Sequence, residues 1–139
     1  MGIKHDPETG DYLYIGTISN PRGHFLSRMD YAGNLKWGRV YNYSNFFYTD
    51  NNTFEYSPAY QTFYFTLIGS PKYLFKGNSL NGDILNSFEI PELSSQSLQD
   101  KCSLSKDQLT LFWNIYKASE RGAIIRFDTN TSQFDTTII

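Results

Sequence analysis

Residues 3–17 read IKHDPETGDYLYIGT, and the fold turns on finding this pattern twice more, as FEYSPAYQTFYFTLIG from Phe54 and CSLSKDQLTLFWNIY from Cys102. Asp6-Pro7, Ser57-Pro58 and Ser105-Lys106 align as a turn, and YLYI, FYFT and LFWN align as the strand that follows. The next segments align as well: HFLSRMD (24–30), KYLFKGN (72–78) and AIIRFD (123–128), with Arg28, Lys76 and Arg126 in matching positions. YAGNLKW, LNGDILN and NTSQFDT then supply a turn and a further strand. The copies lie roughly 50 residues apart, a period that marks a repeat architecture.

Each copy carries four strand signals separated by Gly, Pro, Asn, Asp or Ser clusters. They are expected near 2–5, 11–18, 23–30 and 34–41 in the first copy, near 53–57, 62–69, 71–78 and 83–89 in the second, and near 100–105, 108–115, 121–128 and 132–138 in the third. Short links and the AGN and NGD turns, where Gly and Asn tolerate positive φ, demand antiparallel neighbours. Each copy is therefore a four-stranded antiparallel meander. The stretch ELSSQSLQDK (92–101) reads as a turn of helix between copies.

Composition agrees. The chain has 139 residues, 40% of them apolar, enough for one domain with a sizeable core. Its 11 Tyr, 11 Phe and 2 Trp favour strands over helices. A formal net charge of −2 leaves no basic stripe for phosphates, which argues against a nucleic-acid partner. No stretch approaches the apolar length of a membrane helix, so no membrane insertion is expected.

The order GDYLYIGT, HFLSRMD, GNLKWGRVY closely resembles the bacterial-type β-propeller repeat family. Blades of that family run Gly-Asn/Asp-x-aromatic-aliphatic-x-Gly, then an apolar strand ending Lys/Arg-x-Asp, then Gly-Asn-aliphatic-x-Trp. The first copy matches nearly throughout. The second has Asn86 where the tryptophan Trp37 stands in the first, and the third keeps Arg126-Phe127-Asp128 but loses the Gly-Asn turn. The resemblance implies an all-β chain of three blades, about 2–41, 53–90 and 100–139, within one propeller-like domain. It also implies a binding or structural module, since such propellers share no catalytic set.

Closed propellers need at least about four blades, and a blade buries its face only against a neighbour. Three blades are thus expected to be completed by further chain or by copies of the same chain, such as two chains forming a six-bladed ring. Trp37 is read as packing between blades.

Chemistry is sparse. His5 and His24 have no repeated carboxylate partner and are read as structural or solvated. DTNTSQFD (128–135) lacks the glycine and the terminal acid of a calcium loop and is read as a hairpin turn. DPETGD (6–11) is explained by turn chemistry. Cys102, the single cysteine, is read as a buried structural thiol. Asp6, Asp50 and Asp100, near the ends of the first strands, are the candidates from spacing for a propeller-type acid pair, and nothing distinguishes them from solubilising charges. With no nucleophile elbow and no phosphate loop, the expectation is no enzyme, no cofactor and no metal.

The link YNYSNFFYTDNN (41–52) places Tyr43, Phe46, Phe47 and Tyr48 among Ser and Asn, a composition suited to stacking on sugar rings or to burial in a partner. Carbohydrate binding there is the alternative to a protein partner. Asn42, Asn51 and Asn130 open N-glycosylation sequons in predicted links or turns and are the glycan sites if the chain is exported; an extracellular or surface location is favoured.

Overall fold

The computed structural model describes residues 2–20, 22–42, 54–67, 72–91, 96–117 and 123–138. These residues form twelve strands and, among them, no helix. Blade 1 contains β1 (Gly2–His5), β2 (Tyr12–Ser19), β3 (Arg22–Met29) and β4 (Leu35–Asn42). Blade 2 contains β5 (Glu55–Ser57), β6 (Thr62–Leu67), β7 (Tyr73–Asn78) and β8 (Ile84–Glu89). Blade 3 contains β9 (Gln96–Leu104), β10 (Thr110–Lys117), β11 (Ala123–Asp128) and β12 (Gln133–Ile138). Each blade is one four-stranded antiparallel sheet in which strands pair in chain order.

Pairing register bears out the alignment of the copies through their third strands, and in the fourth strand of the third copy it sets Asp135, one residue before Thr136, at the place of Trp37. Arg28 lies opposite Leu13, Lys76 opposite Tyr64 and Arg126 opposite Phe112. Across the next ladder Arg28 pairs with Trp37, Lys76 with Asn86 and Arg126 with Asp135. The turn between the last two strands keeps a left-handed residue in every copy, Gly33, Gly82 and Ser132 at φ +85°, +79° and +58°, with the first copy's turn one residue shorter. Only glycine takes that backbone without strain, so the serine marks the copy that lost the Gly-Asn signal.

Blades stack face to face. A strand turns alternate side chains to opposite faces, and burial records which faces are covered. In β2 of blade 1 only Leu13 and Ile15 are buried, whereas all six residues of β6 in blade 2 are. Blade 2 is therefore the middle layer. We call the face of each blade turned toward the following one its forward face, and the opposite one its rear face. The first seam packs Leu13, Ile15 and Leu26 against Tyr56, Phe63 and Phe65. The second packs Tyr64, Leu74 and Ile90 against Leu111, Trp113, Ile125 and Phe127.

One expectation is corrected. Residues 96–101 extend strand β9 instead of forming a helical turn, pairing Gln96, Ser97 and Leu98 with Lys117, Tyr116 and Ile115 beyond a register shift opposite Trp113–Ile115. The longer β10 offers ladder partners to this segment, and a bulge absorbs the mismatch.

Candidate interaction faces

What a covered face requires is displayed by the first seam. Its polar centre is Arg28, 3% exposed. The guanidinium donates from Nε to Asp11 Oδ2 (2.6 Å) and from Nη2 to Asp6 Oδ2 (2.8 Å) and Thr9 Oγ1 (3.0 Å), all within blade 1. From Nη1 it crosses the seam to the Ser79 carbonyl at 3.2 Å. Lys36 Nζ holds Asp11 from the other side, and Tyr56 of blade 2 donates to Asp6 at 2.8 Å. A charge this deep is tolerated only when paired and fully hydrogen-bonded.

The pKa directions follow. Burial pushes the Asp6 carboxyl up, but the donors Tyr56, the Glu8 amide and Thr9, with the charge of Arg28, outweigh it and hold it below the ordinary carboxylate value. Asp11 is likewise raised by burial and then lowered past its ordinary value by Lys36 and Arg28. Tyr56, buried and facing Asp6, is raised to about 12. Asp6 forms the turn expected of DPETGD, its carboxylate accepting from the Glu8 amide, and the structure adds a second role, because both carboxylates are enclosed around a guanidinium more than a strand away in sequence.

The outer strand of blade 1 completes the seam. Trp37 Nε1 donates to the Ser79 carbonyl (2.9 Å), Arg39 reaches the Asn81 carbonyl (3.2 Å), and the Tyr41 hydroxyl donates to the Gly82 carbonyl. A Cβ on Gly82 would lie 2.8 Å from Trp37 and 2.7 Å from Arg39, so the turn 78–83 is a seat shaped to these side chains. Trp37 is thus a packing residue between blades, as read from the sequence. Asn86, at the same place in blade 2, is exposed.

His24 sits in the same seam, fully buried, its ring edge-on to Phe65 at 5.2 Å. Nδ1 meets the Gly16 carbonyl at 3.4 Å, and Nε2 has no partner. Burial lowers its pKa to about 4. Cys102 is buried and its thiol pKa is raised by that burial, as a structural thiol requires. His5 is exposed.

Against this template two faces stand open. On the rear of blade 1, Ile3 is 57% exposed, while its counterparts Phe54 and Cys102 are 3% and 6%. Tyr12 is 41% exposed, while its counterparts Phe63 and Leu111 are 0%. Leu35 and Val40 of β4 are exposed beside them. Gly33, the left-handed glycine of the corresponding but shorter turn 30–34, has nothing within 4 Å of its Cβ position. On the forward side of blade 3, Phe112 and Ile124 are partly exposed, whereas Leu13, Tyr64, Leu26 and Leu74 at the same positions are fully buried. Arg126, counterpart of Arg28, is exposed and paired only with Asp135 and Thr137. It lines a cleft of about 400 Å³ with Thr110, Asp128, Gln133 and Asp135.

Several sequence-derived candidates are not brought together. Tyr43, Phe46, Phe47, Tyr48, Asp50 and Asn51 lie outside the described residues. Asn42 ends β4 and Asn130 sits in the β11–β12 turn, both exposed. Asp100 falls within β9. Among the described residues no group of His, Cys, Asp or Glu converges to hold a metal ion. No protein-family model and no curated protein matches this chain.

Proposed function

We propose that the chain is a non-catalytic structural and interaction module, a three-bladed propeller segment whose two end faces are completed by further blades, from additional chain or from a second copy. The bacterial-type propeller repeat resemblance supports this reading. The observation that carries it is the rear face of blade 1, where Ile3 and Tyr12 stand in water at positions buried in both other blades. Covering an aliphatic or aromatic side chain is worth about 1.5–3 kcal/mol, and contiguous apolar faces of this kind mark interaction surfaces.

Light scattering together with binding of an environment-sensitive naphthalene-sulfonate dye tests the reading. The expected result is either association, or a monomer that binds the dye and loses that binding on Ile3→Glu with Tyr12→Glu. A stable 16.1 kDa monomer that binds no dye overturns it.

A further inference from the structure

Two open faces on one chain form a pair only if each is the shape the other needs, and the repeat supplies that test. In both internal seams a forward face with apolar residues at the positions of Phe112 and Ile124 covers a rear face with apolar residues at the positions of Ile3, Tyr12 and Tyr14. Blade 3 carries the forward set partly exposed, and blade 1 carries the rear set with Ile3 and Tyr12 exposed and Tyr14 half-buried. Gly33 is clear where Gly82 is in contact with Trp37 and Arg39, although the turn 30–34 is one residue shorter than the turn 78–83.

We propose that the rear face of blade 1 is covered by the forward face of blade 3 of a second copy of this chain, twice over, closing a six-bladed ring about a two-fold axis. This rests on the reading of the end faces given above. Such a contact continues the two seams already present in the chain and is heterologous, so it closes only if the rotation per blade completes a circle. Two copies bring six blades, inside the range of about four to eight found in closed propellers, and three copies exceed it. In the ring, Phe112 and Ile124 pack on Tyr12 and Ile3 of the second copy. The Arg126–Asp135 edge takes the place over the second copy's turn 30–34 that Arg28 and Trp37 occupy over turn 78–83.

Complementation of two single variants tests the arrangement. Tyr12→Asp spoils only the rear face and Phe112→Asp only the forward face. The expected result is a parent mass of twice 16.1 kDa, a fall to 16.1 kDa in either variant alone, and return to the doubled mass when the two are mixed, since one seam of the mixed pair is then free of substitutions. Val40→Glu, at an exposed position on the same rear face, guards against misfolding by Tyr12→Asp and is expected to behave in the same way; near-ultraviolet circular dichroism confirms that each variant is folded.

A dimer broken by Tyr12→Asp but not by Phe112→Asp is a rear-to-rear contact and overturns the proposal. Mass that grows without limit overturns it too, because the rotation then fails to close. A parent that stays at 16.1 kDa also overturns it. In that last case dye binding separates the two readings: a monomer that binds dye leaves the interaction module standing with additional chain as the occupant, and one that does not removes both.

Discussion

The two seams are built on the same backbone and filled with different chemistry. In the first, a guanidinium and two carboxylates are enclosed between blades. In the second, the carboxylate positions are held by Ser57 and Thr62, Lys76 lies 6.0 Å over the Tyr64 ring, and the packing is aromatic, with Phe88, Phe127 and Phe134 in ring contact. Blade stacking as such needs no buried charge, since the second seam forms without one. The first seam uses its charges in a way the second cannot: Arg28 and Tyr56 tie atoms of both blades to fixed points, which sets how the blades register.

The comparison breaks most severely at Arg28. Arg28→Met leaves the buried Asp6 carboxylate without a cation and Asp11 with Lys36 alone, and is expected to destabilise by about 3–5 kcal/mol in urea unfolding. Adding Asp6→Ser and Asp11→Thr, which copies the residues of blade 2, is expected to recover most of that loss. If the triple variant is as unstable as the single one, the charges are not interchangeable with the second seam's chemistry.

Next in size is the response to acid, which divides the seams. His24 is neutral in the folded seam, with a pKa of about 4 against 6.5 when unfolded. The unfolded chain therefore binds the extra proton as pH falls below 6.5, and stability declines from there to about pH 4 by on the order of 3 kcal/mol. His24→Leu is expected to flatten that slope. Asp6 and Asp11 act in a lower window. Their folded values lie below 3.8, so their contribution is complete above 3.8 and disappears as pH falls through the folded values. The triple variant is expected to lack this second decline while keeping the first.

Smaller effects compare the covered turn glycine with the open one. Gly82→Ala must adopt a left-handed backbone and displace Trp37, and is expected to lose about 2 kcal/mol or more of stability. Gly33→Ala meets nothing and carries only the backbone strain, about 1–2 kcal/mol. Equal losses in thermal melts would mean that the first seam's seat is looser than its geometry. Smallest of all, Lys76→Met is expected to change stability by less than about 1 kcal/mol, the worth of a cation over an aromatic ring.

The fold was legible because its signal is repeated. Ile3, Phe54 and Cys102 hold equivalent positions in the three copies, and no single copy had to be read alone. The Arg28 cluster was not legible, for a physical reason. Asp6 and Asp11 flank a turn whose sequence is fully accounted for by Pro7 and Gly10, so nothing in it calls for a second role, and enclosure comes from Tyr56 and Ser79 of another blade. The alignment did place Arg28, Lys76 and Arg126 in one row. What it lacked was the order of the layers, which makes one buried, one partly covered and one exposed. Residues 92–101 misled because polar Ser and Gln carry no alternation, and only the long partner strand β10 fixes 96–101 as extended.

Strand order has a kinetic consequence. Among the described residues every strand hydrogen-bonds only to its neighbours along the chain, so ladder formation within a blade closes short loops and is fast, while the slow step is docking one finished sheet on another. Synthesis from the N-terminus delivers blade 1 before its forward cover exists, and Arg28 can meet Asp6 and Asp11 of its own sheet at once. The guanidinium is thus already neutralised when blade 2 arrives, and blade docking does not have to wait on the pairing of charges.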